Sequence, residues 1–318
     1  MHQDKTLISV VLAVYNLELY VERAIQSFIQ CRADEFAELI IVNDGSTDRT
    51  SEICEKYLSR QDVRIITKDH SGLAAARNTG IEKSMGDYVV FLDGDDSLDE
   101  GLLQKLKLAI KEGGDVDLFY YNWQEINNRT CILVQEYDAM KTVAVWNKCY
   151  KKAFLDKNQL RFSESCLFED IGYSPRAFVL SNKVRHISGK PLYYYHVRPD
   201  SASHRFVTAK DRLSAIRALK KLERELLPIL QSDQYADMIT IYIMDCWWFH
   251  IREFLKEEDD HGYVLGEFIQ FLCESIFLKS ASKFNFKTLG LKKSLLCILI
   301  TRMGIKNRSF IRFLITLS

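Results

Sequence analysis

The stretch Tyr88-Val89-Val90-Phe91-Leu92-Asp93-Gly94-Asp95-Asp96 decides how this chain is read. Its first five residues form an unbroken aromatic, β-branched and aliphatic run, which suits a strand covered on both faces in a parallel sheet. Its last four carry three carboxylates. Such a strand delivers them to the edge outside the carboxyl ends of the strands, where open α/β sheets bind ligands. Carboxylates this close repel one another and call for a cation or a solvated turn. An isolated Asp-x-Asp reads equally well as an exposed turn capping the next helix. The rest of the chain chooses between these readings.

Upstream, residues 7–14, 38–43 and 63–67 are further apolar runs, separated by helix-period patterns over 19–30, 48–60 and 73–84. This alternation predicts an α/β fold with a parallel, doubly wound sheet and right-handed crossovers. The polar residues after each strand are then expected to converge at one edge. They are Tyr15 and Asn16, Asp44 to Ser46, Lys68 to His70, and Asp93 to Asp96. Residues 43–48 are also good turn chemistry, with Ser46 or Thr47 as a helix cap. Asp44 differs: it lies beyond the strand end and before the cap, free to accept hydrogen bonds from a ligand. Arg77 sits on an Ala- and Gly-rich helix, where an arginine either pairs with an acid or reaches a phosphate.

Downstream, residues 98–112 read as an amphipathic helix, and 116–121, 131–137, 184–187 and 192–197 as strands. Glu169 and Asp170 open a helix running to about residue 181. Acids in a first helical turn are dipole partners, while paired acids beside Phe168 and Ile171 also suit a carboxylate raised toward base strength. From residue 206 the pattern turns helical, over 210–227, 235–256 and 263–278. The expected organisation is an α/β domain over 1–205 followed by a helical region over 206–318.

Composition narrows the class. In 318 residues, 43 basic and 43 acidic side chains cancel, which argues against a nucleic-acid partner. With 47% apolar residues, 14 Gly and 4 Pro, the chain is a folded globular protein. Eight cysteines without a C-x-x-C pair read as buried thiols in a reducing, cytoplasmic compartment. No apolar run reaches the ~18 residues a membrane span needs. Residues 275–318 nevertheless hold nine Lys or Arg and no Asp or Glu, interleaved with Leu, Ile, Phe and Met. That pattern suits a basic amphipathic helix on an anionic leaflet, placing the protein at the inner face of the plasma membrane; the alternative is an ordinary surface helix.

Taken together, the motifs resemble those of the bacterial family-two glycosyltransferases of the GT-A fold, an inverting family. The resemblance is carried by Ser9 through Asn16, Ile40 through Asp48, Gly72 with Ala75 through Gly80, and Gly86 through Asp96. It continues with Trp146-Asn147-Lys148, Glu169-Asp170 and Arg198-Pro199-Asp200-Ser201, in the family's order, and stops near residue 206. It implies a nucleoside diphosphate sugar donor, chiefly a UDP-sugar, and Mn²⁺ or Mg²⁺ held by Asp93 and Asp95. It implies donor contacts from Ala13, Tyr15, Asn16, Asp44, His70, Arg77, Asp93, Gly94, Asp96, Arg198 and Ser201 or Ser203. Asp170 would be the general base, oriented by Glu169, with Trp146 and Lys148 along an acceptor channel. The implied acceptor is a glycan or polyprenyl-diphosphate-linked glycan of capsule, exopolysaccharide or O-antigen. Two positions depart from the family: Ala13 replaces a usual Pro, and His70 stands where Asn is commoner.

Three rivals are weaker. A dehalogenase-like phosphatase needs Thr or Val two residues past its second Asp, near the first strand; Ser97 and a fourth-strand position do not fit. A dinucleotide oxidoreductase needs glycines after the first strand, and Val14-Tyr15-Asn16-Leu17 has none. A non-catalytic sugar-binding relative would be expected to lack Asp95 or Asp170, and both are present.

Overall fold

β1 (Ile8–Val14) and β2 (Ala37–Asn43) are buried along their whole length, as strands flanked on both faces must be. Between them α1 (Val21–Gln30) turns Val21, Ala24, Ile25 and Phe28 inward, the i, i+3, i+4, i+7 stripe of an amphipathic helix. α2 (Thr50–Glu55), β3 (Val63–Thr67), α3 (Leu73–Lys83) and β4 (Tyr88–Asp93) complete the expected alternation. Gly80 lets α3 close on the sheet, since a Cβ there would stand 2.1 Å from Val11 Cγ1. Next come β5 (Ser97–Leu98), α4 (Leu102–Gly113), β6 (Leu118–Tyr121), β7 (Trp123–Ile126), β8 (Cys131–Val134) and β9 (Lys148–Lys151). α5 (Lys152–Lys157), α6 (Asp170–Leu180), β10 (Val184–Ile187) and β11 (Tyr193–His196) follow.

The computed structural model describes residues 8–33, 35–126, 131–134, 143–164, 167–198, 208–230, 233–255, 262–275 and 311. It divides into two compact units. One comprises Met1–Glu164 and Ala177–Arg205, the other Ser165–Arg176 and Phe206–Ser318.

The first unit is built on a seven-stranded sheet in the order β10-β6-β9-β4-β1-β2-β3. All pairings are parallel except those of β9, which runs antiparallel to β4 and β6. A smaller sheet has the order β5-β11-β7-β8. β7 and β9 were not expected from sequence. Lys148 and Lys151 bracket β9 and β7 reads Trp-Gln-Glu-Ile, so neither has an apolar run; cross-strand pairing alone makes them strands. The helix expected from residue 98 begins at Leu102 instead. Ser97 and Leu98 pair with β11, and Asp99 turns the chain by accepting from Gly101 N at 2.9 Å and Leu102 N at 3.0 Å.

The second unit is helical. α7 (Ala209–Leu226), α8 (Asp233–Phe254) and α9 (Gly262–Glu274) pack on one another. Thr208 and Asp211 form a capping box at the start of α7. Trp247, Phe254, Phe268 and Phe271 fill the core, and Trp247 Nε1 donates to Phe268 O at 2.9 Å. Among the described residues no helix is long and apolar enough to cross a membrane. The basic stretch 275–318 lies outside the described residues except for Ser275 and Ile311.

Candidate active site

Register brings the site together. Ala13 pairs with Asp93 across β1 and β4, Val14 with Asn43 across β1 and β2, and Asn43 with Thr67 across β2 and β3. Four strands therefore end level, and the residues after them share one edge. A Cβ on Gly94 would stand 2.5 Å from Leu17 Cδ1 and 3.1 Å from Val14 Cγ1, so the Leu17 side chain would have to give way. Ala13 is buried, packed with Ile40, Val42 and Ala76.

The acids of the turn are individually partnered. Asp93 Oδ1 accepts from Arg77 Nη2 at 2.7 Å, and the Arg77 guanidinium carbon lies 5.4 Å from the centre of the Phe162 ring. Asp95 Oδ2 accepts from Arg198 Nε at 2.6 Å, and its main-chain oxygen accepts from Arg23. Burial and then the charge of Asp93 push Asp95 above the usual carboxylate range, against the pull of Arg198. Asp96 is 0% exposed; its oxygens accept from Tyr193 Oη at 2.7 Å and His196 N at 2.8 Å. Burial, then Asp93 and Asp95, drive it well above the usual range. Asp96, expected to shape the sugar site, ties the turn to Tyr193 and His196 of β11. Burial, with Arg23 adding to it, holds His196 down at about 4, so its ring is neutral.

Asp44 was expected to stand free for a ligand, and it does not. It is 2% exposed and accepts from Lys68 Nζ at 3.0 Å, Ser71 N at 3.1 Å and Gly72 N at 2.7 Å. Burial raises this carboxyl, but those bonds outweigh it and hold it below the usual range. Lys68 contributes the largest of these pulls, with the successive amides of Ser71 and Gly72 after it. His70 Nδ1 also lies 2.8 Å from Asp44 Oδ2. The His70 ring stacks on Tyr15, with centroids 4.0 Å apart, and both rings are more than a third exposed. Asn16, with φ of 51°, spends its Oδ1 on Thr47 N at 2.8 Å and so braces the loop after β2.

Trp146 and Lys148 were expected along an acceptor channel. Trp146 stacks between Tyr193 and Tyr195 at 4.5 and 5.7 Å. Lys148 is 0% exposed, with Nζ donating to Ala144 O at 2.5 Å and Asn147 Oδ1 at 3.0 Å. Its ammonium is thus turned inward, onto a main-chain oxygen and the Asn147 side chain. Glu169 precedes α6, and Asp170 opens it, in the second unit. There Phe168 meets the His250 ring at 4.6 Å and Ile171 O accepts from Tyr242 Oη at 2.9 Å. Ser201 and Ser203 lie outside the described residues.

Residues 9–162 match glycosyl transferase family 2. The chain carries a glycosyl transferase family 2 domain. Among curated relatives, this domain and its flanks are 32% identical over 222 residues to glycosyltransferase GlyA of Streptococcus pneumoniae, covering 62% of this chain and 31% of GlyA. They are 24% identical over 291 residues to the poly(ribitol-phosphate) β-N-acetylglucosaminyltransferase TarS of Staphylococcus aureus, covering 84% of this chain and 50% of TarS. The chain thus spans only about a third to a half of these two relatives. A TarS fragment crystallised with UDP-GlcNAc superposes with a TM-score of 0.78 at 20% identity, covering 98% of this chain and 91% of that one. A mannosyltransferase of Pyrobaculum calidifontis, in complex with GDP-Man and Mn²⁺, gives a TM-score of 0.57 at 12% identity, covering 98% and 84%. The fold is GT-A, as the sequence motifs implied.

Arg23 and Tyr20 were missed at the sequence level. Nothing in residues 19–30 marks them apart from an amphipathic surface; only the approach of α1 to the acid turn gives them a place in the site.

Proposed function

We propose that the chain is an inverting glycosyltransferase that moves a sugar from a nucleoside diphosphate sugar, most simply a UDP-sugar, to a hydroxyl of a glycan or lipid-linked acceptor in cell-surface polysaccharide synthesis. The observation that carries this reading is the strand-end edge where Asp93 and Asp95, each held by an arginine, follow β4 next to the end of β1, after which comes the exposed Tyr15. Membership of the family and the two relatives' names point the same way.

The acid pair suits a hard divalent cation, Mn²⁺ or Mg²⁺. Asp95, raised by burial and by Asp93, gains from added positive charge. Among the described residues no group of three or more His, Cys, Asp or Glu is set to hold a metal. Asp93 and Asp95 would be the protein's contribution to holding such an ion, with donor phosphates and water supplying the rest. Such an ion, when bound, neutralises charge on the leaving diphosphate.

The chain's own groups do the rest. Tyr15 offers a ring face to the nucleotide base, with His70 beside it, and Asp44 holds the loop that frames it. Arg77 and Arg198 supply the fixed positive charge a diphosphate needs. Asp170 takes the proton from the acceptor hydroxyl as that oxygen attacks opposite the diphosphate, inverting the anomeric carbon, and Glu169 orients it. Trp146 with its stacked tyrosines supports the acceptor side. Residues 1–205 serve as the catalytic domain, and the basic tail 275–318 holds the chain to the anionic inner face of the membrane.

The test is a panel of UDP-, GDP- and dTDP-sugars with Mn²⁺, read by nucleotide release and by the anomeric configuration of the product. Asp95→Ala is expected to lose Mn²⁺-dependent donor binding. Asp170→Asn is expected to keep donor binding and lose transfer. Equal loss of binding in both variants refutes this division of roles, and binding of donor with no nucleotide release in the native chain refutes the enzyme reading.

A further inference from the structure

Tyr20 is the N-cap residue of α1, without a side-chain cap bond, and two guanidinium groups lie near its ring. The guanidinium carbon of Arg198 lies 4.6 Å from the ring centre and that of Arg23 lies 6.0 Å from it. Both arginines hold Asp95, Arg198 at the carboxylate and Arg23 at the main-chain oxygen. The Arg198–Asp95 pair is mostly covered, with side chains 16% and 18% exposed. Two arginines thus grip one acid of the turn, and one tyrosine ring lies against both of them.

This grip creates a conflict that the ring resolves. Asp95 is the carboxylate assigned above to the cation, yet Arg198 already neutralises it. A divalent ion arriving alone must compete with that guanidinium. Arriving with a diphosphate, it brings oxygens to which Arg198 can move. A cation–π contact engages the flat face of the guanidinium and leaves its edge N–H groups for oxygen, whichever oxygen is present. A ring under Arg198 therefore keeps it ordered through an exchange of partners, where a free side chain would lose rotamer entropy on each capture.

We propose that Tyr20 is a positioning residue, a seat on which Arg198 passes from Asp95 in the empty site to the donor diphosphate in the loaded one. This rests on the donor reading given above. Arg23 steadies the seat, since its own amide donates to Tyr20 O at 3.0 Å and its side chain ties the ring's helix to the acid turn.

The experiment is calorimetry on the full chain, titrating Mn²⁺ alone and then UDP, GDP or dTDP at saturating Mn²⁺. The variants are Tyr20→Phe, Tyr20→Leu, Arg198→Ala and the Tyr20→Leu/Arg198→Ala double, each checked for a native thermal transition. Tyr20→Phe keeps the ring and is expected to match the native chain. Tyr20→Leu is expected to weaken nucleoside diphosphate binding ~3- to 30-fold, the range of a partly desolvated cation–π contact. Its affinity for Mn²⁺ alone is expected to stay level or tighten, because Arg198 then competes less for Asp95. The double variant is expected to be no worse than Arg198→Ala. Native diphosphate affinity in Tyr20→Leu, equal losses for Mn²⁺ and diphosphate, or losses that multiply in the double variant each overturn the seat alone. Failure of the native chain to take any of the three diphosphates overturns the donor reading and the seat with it.

Discussion

Removing one hydroxyl tests how the acid turn is held. Tyr193 is fully buried, and its Oη both donates to Asp96 Oδ2 at 2.7 Å and accepts from Asp93 N at 3.2 Å. Tyr193→Phe keeps the ring and its stacking on Trp146, so it removes these two bonds and little else. Each partner is then left unsatisfied in a covered place, at about 1–3 kcal/mol apiece, for a total of about 2–6 kcal/mol. In a unit of this size each kcal/mol moves the thermal midpoint by about 2–4 °C, so a fall of about 4–24 °C is expected. Tyr194→Phe is the control. Its Oη donates to Asp99 Oδ2 at 2.9 Å, but Asp99 is also held by Lys190 at 2.9 Å, and the expected loss is about 0.5–1.5 kcal/mol. Scanning fluorimetry reads both variants, and UDP binding with Mn²⁺ reads the turn itself, which is expected to weaken only in Tyr193→Phe. If Tyr193→Phe melts within about 1 °C of the native chain, or no lower than Tyr194→Phe, the hydroxyl does not brace the turn.

Other outcomes follow from the same geometry. Gly80→Ala places a Cβ against both methyls of Val11 and is expected to cost about 1–3 kcal/mol by denaturant unfolding, with partial rescue by Val11→Ala. Asp44→Asn weakens the bonds that order residues 68–72 and is expected to cost about 1–3 kcal/mol while raising the amide exchange of Ser71 and Gly72. His250 is buried, and burial, with Arg212 adding to it, holds its ring down at about 4, below the free value of 6.5. A histidine so depressed binds fewer protons folded than unfolded. The stability it contributes is complete above 6.5 and is lost as pH falls toward 4, by about 3 kcal/mol over that window. His250→Phe, which removes an Nδ1 without a hydrogen-bond partner among the described residues, is expected to flatten the acid limb of the pH–stability curve.

How much of this was legible differs from element to element. The strand at 88–92 and the alternation before it announced themselves because a strand covered on both faces must be apolar throughout, and that constraint acts on each residue separately. β9 gave no such sign: two of its four residues are lysines, and it is a strand only because β4 and β6 lie on either side of it. The acids 93, 95 and 96 were readable as a cluster, but not their separate duties. Asp96 looks like its neighbours in the chain, and burial under β11 makes it a fastening point.

Local chemistry, then, was enough to name the fold, the edge and the acids, since hydrophobic period and turn chemistry are properties of neighbouring residues. Which oxygen meets which nitrogen was settled by folding alone. Asp44 is closed by amides 27 and 28 residues away, and Asp95 is gripped by arginines 72 and 103 residues distant. Hydrogen bonds of that span depend on strand register and helix docking, and those are set by the whole core at once rather than by any stretch within it.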